Sequence, residues 1–244
     1  MVATPTTSLD KFVAAYRDEF AFAYDNDLIL NWYPKRIIAR CMPEDSLLEL
    51  GIGHGYTTSL FAQYFARHVV IDASSAVIEQ FRREALACSA TIVQAYFEDF
   101  ESDQRFDTIV MGFVLEHVDD PALVLRHYRK FLTPGGKCFV AVPNGESLHR
   151  QLGHRAGLLE DMLSLGQGDL ELGHQRTFSV STLSRLVAES GYKVIREEGI
   201  FLKPFTTAQM ISLNLSPSVH NALCELGVAY PQLCAGLLFE LVAA

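Results

Sequence analysis

The sequence contains no uninterrupted apolar run approaching the ~20 residues that cross a bilayer, so no membrane-spanning helix is expected. It also lacks the marks of a secretory signal: the opening MVATPTTSLDKF has neither a basic stretch nor an apolar core, and a cytoplasmic location is the expectation. Paired cysteines are missing. The five present, Cys41, Cys88, Cys138, Cys224 and Cys234, are scattered singly, with no C-x-x-C and no histidine at zinc-ligand spacing, which predicts reduced, mostly buried thiols and no metal. Basic excess is absent too. A net charge of −9 disfavours a polyanionic partner, because binding nucleic acid needs a basic stripe that releases counterions. Internal repeats, low-complexity tracts and long Pro/Gly linkers are all lacking, so 244 residues with 49% hydrophobic content read as one large domain.

What is present is an alternation of elements from residue 46 onward. Ser46–Leu50, His68–Asp72, Thr91–Ala95, Phe106–Met111 and Lys137–Pro143 are short apolar runs of the kind that form buried parallel strands. Between them Thr57–Ala66, Ser75–Ala87 and Pro121–Leu132 carry apolar residues at three- and four-residue spacing, and Thr133-Pro134-Gly135-Gly136 closes the last helix. Ser181–Ser190 reads as a further helix, Tyr192–Leu202 and Gly236–Val242 as two more strands. The expectation is an α/β fold, a Rossmann-like, doubly wound, seven-stranded and mostly parallel sheet over 43–143 and 181–244. Residues 1–42 read as preceding helices rich in aromatics. Residues 144–180 read as an irregular insertion with the glycine and histidine content of a lid.

The sharpest local signal is Glu49-Leu50-Gly51-Ile52-Gly53-His54-Gly55, at the end of the first predicted strand and before a helix. Glycines there permit a tight turn and let a ligand approach the backbone, beside the free N–H groups of the helix start. The third glycine comes one residue early for the dinucleotide fingerprint G-x-G-x-x-G. Glu49 would repel a pyrophosphate, yet a carboxylate at this place could help hold an ammonium group. Asp72 ends the second strand, where a carboxylate can accept both hydroxyls of a ribose.

Taken in order, E-x-G-x-G-x-G, V-I-D-A-S, F-D-T-I-V with L-E-H-V, and L-T-P-G-G resemble the motifs of class I S-adenosylmethionine-dependent methyltransferases over roughly residues 46–143, and more weakly over 181–202 and 236–242. The resemblance is to bacterial enzymes of quinone, polysaccharide and secondary-metabolite pathways. It implies S-adenosylmethionine as cofactor, S-adenosylhomocysteine as product, no metal, and a small-molecule acceptor. By that resemblance Gly51, Gly53 and Gly55 line the methionine part and Glu49 faces its amino group. Asp72 and Ala73 lie at the ribose, Phe97 and Glu98 at the adenine, and Met111, Gly112 and Phe113 beside the sulfonium. Tyr96 stands where many members have the Asp of Gly-Asp-Ala, and could stack on the adenine instead.

Methyl transfer to an O or N atom by direct displacement needs alignment and exclusion of water more than covalent catalysis. A hydroxyl acceptor also needs a base, for which the candidates are His117, His174 and His149. His174 and Arg176, in Gly173-His174-Gln175-Arg176-Thr177-Phe178, are candidate acceptor contacts. So are Tyr16, Tyr24 and Trp32 of the aromatic N-terminal region, where Phe12, Phe20, Phe22 and Tyr33 read equally as core, and Lys203, which could neutralise an acidic acceptor. His149, His154 and His174 lack the i, i+4 pairing that would hold zinc. A monomer or homodimer is expected. The alternatives that a sheet of this kind leaves open are an NAD(P)-dependent oxidoreductase and a non-catalytic scaffold that binds a partner protein.

Overall fold

The structure, a computed structural model, describes residues 23–85 and 88–244. Tyr16, Phe12, Phe20 and Phe22 lie outside the described residues. Seven strands, β1 (Ser46–Leu50), β2 (Arg67–Asp72), β3 (Thr91–Gln94), β4 (Phe106–Gly112), β5 (Leu132–Pro143), β6 (Tyr192–Ile200) and β7 (Gly236–Ala243), form one sheet in the order β3-β2-β1-β4-β5-β7-β6. Pairing is parallel from β3 through β5, while β7 runs antiparallel to both β5 and β6. All five residues of β1 are buried, as befits a strand with parallel neighbours on each side and helices on each face.

The two-residue period of the strands sorts their side chains into two cores. Leu48, Leu50, Ile109, Met111, Cys138 and Val140 pack on one face beneath α4 (Pro121–Arg129) and α7 (Val180–Glu189). Leu47, Val110, Phe139 and Ala141 pack on the other beneath α1 (Ala23–Ile38) and α2 (Tyr56–Tyr64), with Met210 of α8 (Thr207–Ser212) and Cys224 of α9 (Pro217–Gly227). Helix starts follow side-chain chemistry: Ser74 accepts the Val77 N–H at the head of α3 (Ser75–Glu84), and Asp120 accepts the Leu123 N–H ahead of Pro121 in α4. The insertion contains α5 (Leu148–Arg155) and α6 (Gln167–Glu171). No helix among the described residues is long and apolar enough to cross a membrane.

Among the boundaries that differ from expectation, two have a visible cause. Thr133-Pro134-Gly135-Gly136 does not close α4, which ends at Arg129; it lies within β5, where Leu132 already pairs with Phe106 before the register shifts to Thr108 with Lys137. Gly136 allows that crossing, since a Cβ there would stand 3.1 Å from the carbonyl oxygens of Phe106 and Asp107. β6 ends at Ile200 because Phe201 turns to φ 59°, outside strand geometry.

α1 is fixed to the antiparallel edge by charge. Arg36 donates to both Glu198 oxygens at 3.0 and 2.9 Å, and Arg40 donates to the same carboxylate, which is 3% exposed. Burial works to raise the Glu198 carboxyl, but the hydrogen bonds from Arg36 and Arg40 outweigh it and hold the group below its ordinary value. Glu198→Ala leaves Arg36 without its partner and Arg40 with the longer 3.7 Å contact to Glu240, and is expected to cost about 2 kcal/mol. Because the folded carboxyl is the stronger acid, its contribution is present above the ordinary carboxylate range and fades as pH falls through the depressed folded value. Urea denaturation of wild type and variant at neutral and acid pH checks both points: the difference should shrink on acidification.

Candidate active site

The strand order reverses between β1 and β4, and the crevice beyond their carboxyl ends is where open α/β sheets bind ligands. A cavity of about 1070 Å³ lies there. It is lined on one side by the β1–α2 loop and Asp72, and on the other by the β4–α4 loop, α1 and the insertion. The loop turns through three glycines in left-handed conformation: Gly51 at φ 82°, Gly53 at φ 52° and Gly55 at φ 77°. A Cβ on Gly55 would stand 2.5 Å from the Phe81 ring, so this position is closed to larger residues twice over. Asp72 grips the loop, its Oδ2 accepting the Ile52 N–H at 2.9 Å and its Oδ1 the Ser74 N–H at 2.8 Å.

Gly51, Gly53, Gly55, Asp72, Ala73, Phe97, Glu98, Gly112 and Phe113 all line this cavity, as does Tyr96. Phe113 holds φ 57°, which carries the chain sharply away from the end of β4. Gly112 lets the Tyr33 hydroxyl of α1 come in close, 2.3 Å from where a Cβ would be.

Two expected cofactor contacts do not reach the cavity. Glu49 is buried beneath the loop, accepting from Thr57 Oγ1 at 3.0 Å and from His68 Nε2 at 2.9 Å; it ties β1 to α2 and β2 instead of lining the space. Met111 is fully buried in the sheet core, since the alternation that points Gly112 outward points its neighbour inward.

The acceptor-side expectations divide similarly. His117, His149, His174 and Lys203 line the cavity; Tyr24, Trp32 and Arg176 do not. Tyr24 is bonded to His220 at 2.7 Å, and Trp32 packs against the core under α1. Arg176 instead holds the β4–α4 loop, donating to the carbonyls of Leu115 at 3.1 Å, Asp119 at 3.1 Å and Val118. Gln175 completes this clamp through its N–H to the Glu116 carbonyl and its amide to His117 O and Asp119 Oδ1, each at 2.8 Å. Lys203 is 4% exposed and already paired with Asp25 and Thr207, so its charge is compensated within the protein.

The clamp brings His174 against His117, ring centroids 4.8 Å apart, beside Glu116. These three offer a carboxylate oxygen and two ring nitrogens within 4.8 Å of one another, a grouping that separation along the chain concealed. His174 Nδ1 donates to Asp169 at 3.2 Å. Burial above all, and then His174, pushes His117 down to about 3, so its ring is neutral. Burial likewise lowers His149 to about 3, with Lys203 and Arg150 adding to the effect. Glu116, Asp25 and Asp169 were not among the residues singled out in the sequence, and Tyr33 was read as core; Glu116 sits in an apolar run directly after a strand, where it resembles a core position.

The fold, the glycine loop and the strand-end carboxylate together define a class I methyltransferase architecture. A family model described as a methyltransferase domain matches residues 22–197, more than half of the chain, and the chain belongs to that family. The cypemycin N-terminal methyltransferase of a Streptomyces species is 28% identical over 99 residues, 39% of this chain and 40% of that protein. A ubiquinone biosynthesis O-methyltransferase of Xanthomonas oryzae pv. oryzae is 31% identical over 103 residues, 40% of this chain and 43% of that protein. The alignments thus span about two fifths of these curated relatives. Among solved structures, the N-methyltransferase NodS of Bradyrhizobium japonicum WM9 with S-adenosyl-L-homocysteine superposes with a TM-score of 0.59 at 16% identity, covering 97% of this chain and 96% of that one.

Arg176→Ala removes the donor for three loop carbonyls and is expected to lower stability by about 2 kcal/mol. It should also expose residues 157–173 to limited subtilisin digestion. Arg176→Lys should rescue little, because a point charge cannot span what the planar guanidinium spans. Unchanged digestion of both variants would contradict the clamp.

Proposed function

We propose that the chain is an S-adenosylmethionine-dependent methyltransferase that transfers the methyl group to an O or N atom of a small-molecule acceptor. The observation that carries this reading is the single continuous cavity, which runs from the glycine loop and Asp72 to the Glu116, His117 and His174 cluster. At about 1070 Å³ it exceeds what one drug-sized ligand fills, leaving room for an acceptor beside the cofactor. When bound, S-adenosylmethionine supplies a methyl group already activated on a sulfonium.

The chain's own residues would act around that chemistry. Gly51, Gly53 and Gly55 admit the methionine part against the backbone, while Asp72 and Ala73 take the ribose and Phe97 and Glu98 the adenine. Gly112 and Phe113 face the sulfonium. The insertion, held down by Gln175 and Arg176, covers the acceptor and excludes water. His117, His149 and His174 stand at the acceptor end. The acceptor is small and is not a nucleic acid, in keeping with a net charge of −9, and the enzyme acts in the cytoplasm.

Isothermal titration should give micromolar affinity for S-adenosylmethionine and S-adenosylhomocysteine and none for NAD. Absence of binding to both sulfur ligands would overturn the reading. Asp72→Ala should weaken S-adenosylhomocysteine at least about tenfold with the circular-dichroism spectrum unchanged, a factor that corresponds to about 1.4 kcal/mol. Near-normal affinity in that variant would remove the ribose role.

A further inference from the structure

Glu116 is fully buried, and among the described residues neither carboxylate oxygen has a hydrogen-bond partner beyond its own backbone amide. A buried carboxylate without donors is unfavourable unless something positive or proton-bearing fills the space beside it. His174 hydrogen-bonds Asp169, and His117 directs its one N–H to the Gly173 carbonyl, so the neutral His117 ring is left with a lone pair on its second nitrogen. Two unpartnered carboxylate oxygens and a ring lone pair therefore converge on the acceptor end of the cavity.

The wider lining has the same bias. Its described carboxylates are Asp25, Asp72, Glu98, Glu116, Asp119 and Asp169, against the cations Arg150 and Lys203. Arg150 donates to the carbonyls of Gly145, Met162 and Ser164, and Lys203 is paired with Asp25. Neither is available for an acidic acceptor. Asp25, on the α1 side of the cavity, has a second buried oxygen, Oδ1, that also lacks a donor among the described residues.

We propose that Glu116, with His117 and His174, is the docking point for an ammonium group, so that the acceptor is a primary or secondary amine. The proposal rests on the methyltransferase reading above and names its substrate class. An ammonium carries the N–H donors that the Glu116 oxygens and the second His117 nitrogen lack. For reaction, one N–H proton passes to the Glu116 carboxylate. The freed nitrogen lone pair then forms the N–C bond to the methyl group as the C–S bond breaks and its electron pair stays on sulfur. The product is a methylated ammonium and a neutral thioether, and the carboxyl later returns its proton to solvent. Burial raises Glu116 to about 7, which suits it to relieve an ammonium of its proton and leaves it far too weak a base for an aliphatic hydroxyl.

The test compares three probes of one shape, benzylamine, benzyl alcohol and benzoate, titrated into the full chain saturated with S-adenosylhomocysteine, with EDTA present. Benzylamine should bind at least about tenfold more tightly than benzyl alcohol, with benzoate weakest. Glu116→Gln should reduce that preference to within about threefold while the S-adenosylhomocysteine affinity and melting temperature stay near wild type. His117→Ala, which removes the ring lone pair and keeps the carboxylate, should lose only part of the preference and serves if Glu116→Gln does not fold. Equal binding of amine and alcohol, or an amine preference that survives Glu116→Gln, would overturn the proposal. So would stoichiometric uptake of Mn²⁺ or Zn²⁺ that Glu116→Gln abolishes, since the three donors would then be a metal site. Failure to bind S-adenosylhomocysteine at all would instead bring down the cofactor reading and this proposal with it.

Discussion

The position of β1 between two parallel neighbours governs the rest of the molecule. Its register with β2 and β4 ends at Leu50, and the chain must then leave the sheet at once, because the helices that follow β1 and β4 depart to opposite faces. A turn that abrupt needs positive φ, which only glycine takes without strain, and the three glycines supply it. Asp72 then holds the Ile52 N–H at the next strand end, so the loop is fixed from two strands at once. The divergence that forces the turn also opens the crevice. Fold and binding space are thus consequences of one topological reversal.

The acceptor side is built differently, from backbone carbonyls held by side chains. The β4–α4 loop has no sheet partner, yet Leu115, Glu116 and Val118 are buried, and their carbonyls need donors. Arg176 and Gln175 provide them from the far end of the insertion. The insertion therefore becomes part of the site wall by satisfying the loop it covers. The same contact sets His174 beside His117.

How much of this was legible in the sequence depended on whether the cause was local. Apolar runs of five to seven residues located β1 through β5 and β7, since a buried strand shows no alternation that could confuse the pattern, whereas β6 carries Lys193, Arg196, Glu197 and Glu198 and is not such a run. The glycine loop and Asp72 were legible because a short turn at a strand end has few alternatives. Glu49 was misplaced because its partners, Thr57 and His68, are contributed by other elements. Arg176 and Trp32 were misplaced for the same reason: a side chain's direction within an insertion or a helix follows from what packs on it. Thr133-Pro134-Gly135-Gly136 looks like a helix stop by composition, whereas the crossing over Asp107 makes it a bulged strand start.

Glu116 was hidden in a stricter sense. Flanked by Leu115 and Val118, both buried, it occupies a core position by pattern, and its chemistry follows from being charged at a place that lacks donors. A raised folded pKa means that the native state holds a proton which the unfolded chain releases near 4.3. The penalty for burying Glu116 therefore grows as pH rises from that range to about 7, with His174 and Arg176 offsetting part of it. A positively charged group bound against the unpartnered oxygens lowers what remains, which is how a buried charge becomes selective for its counter-charge.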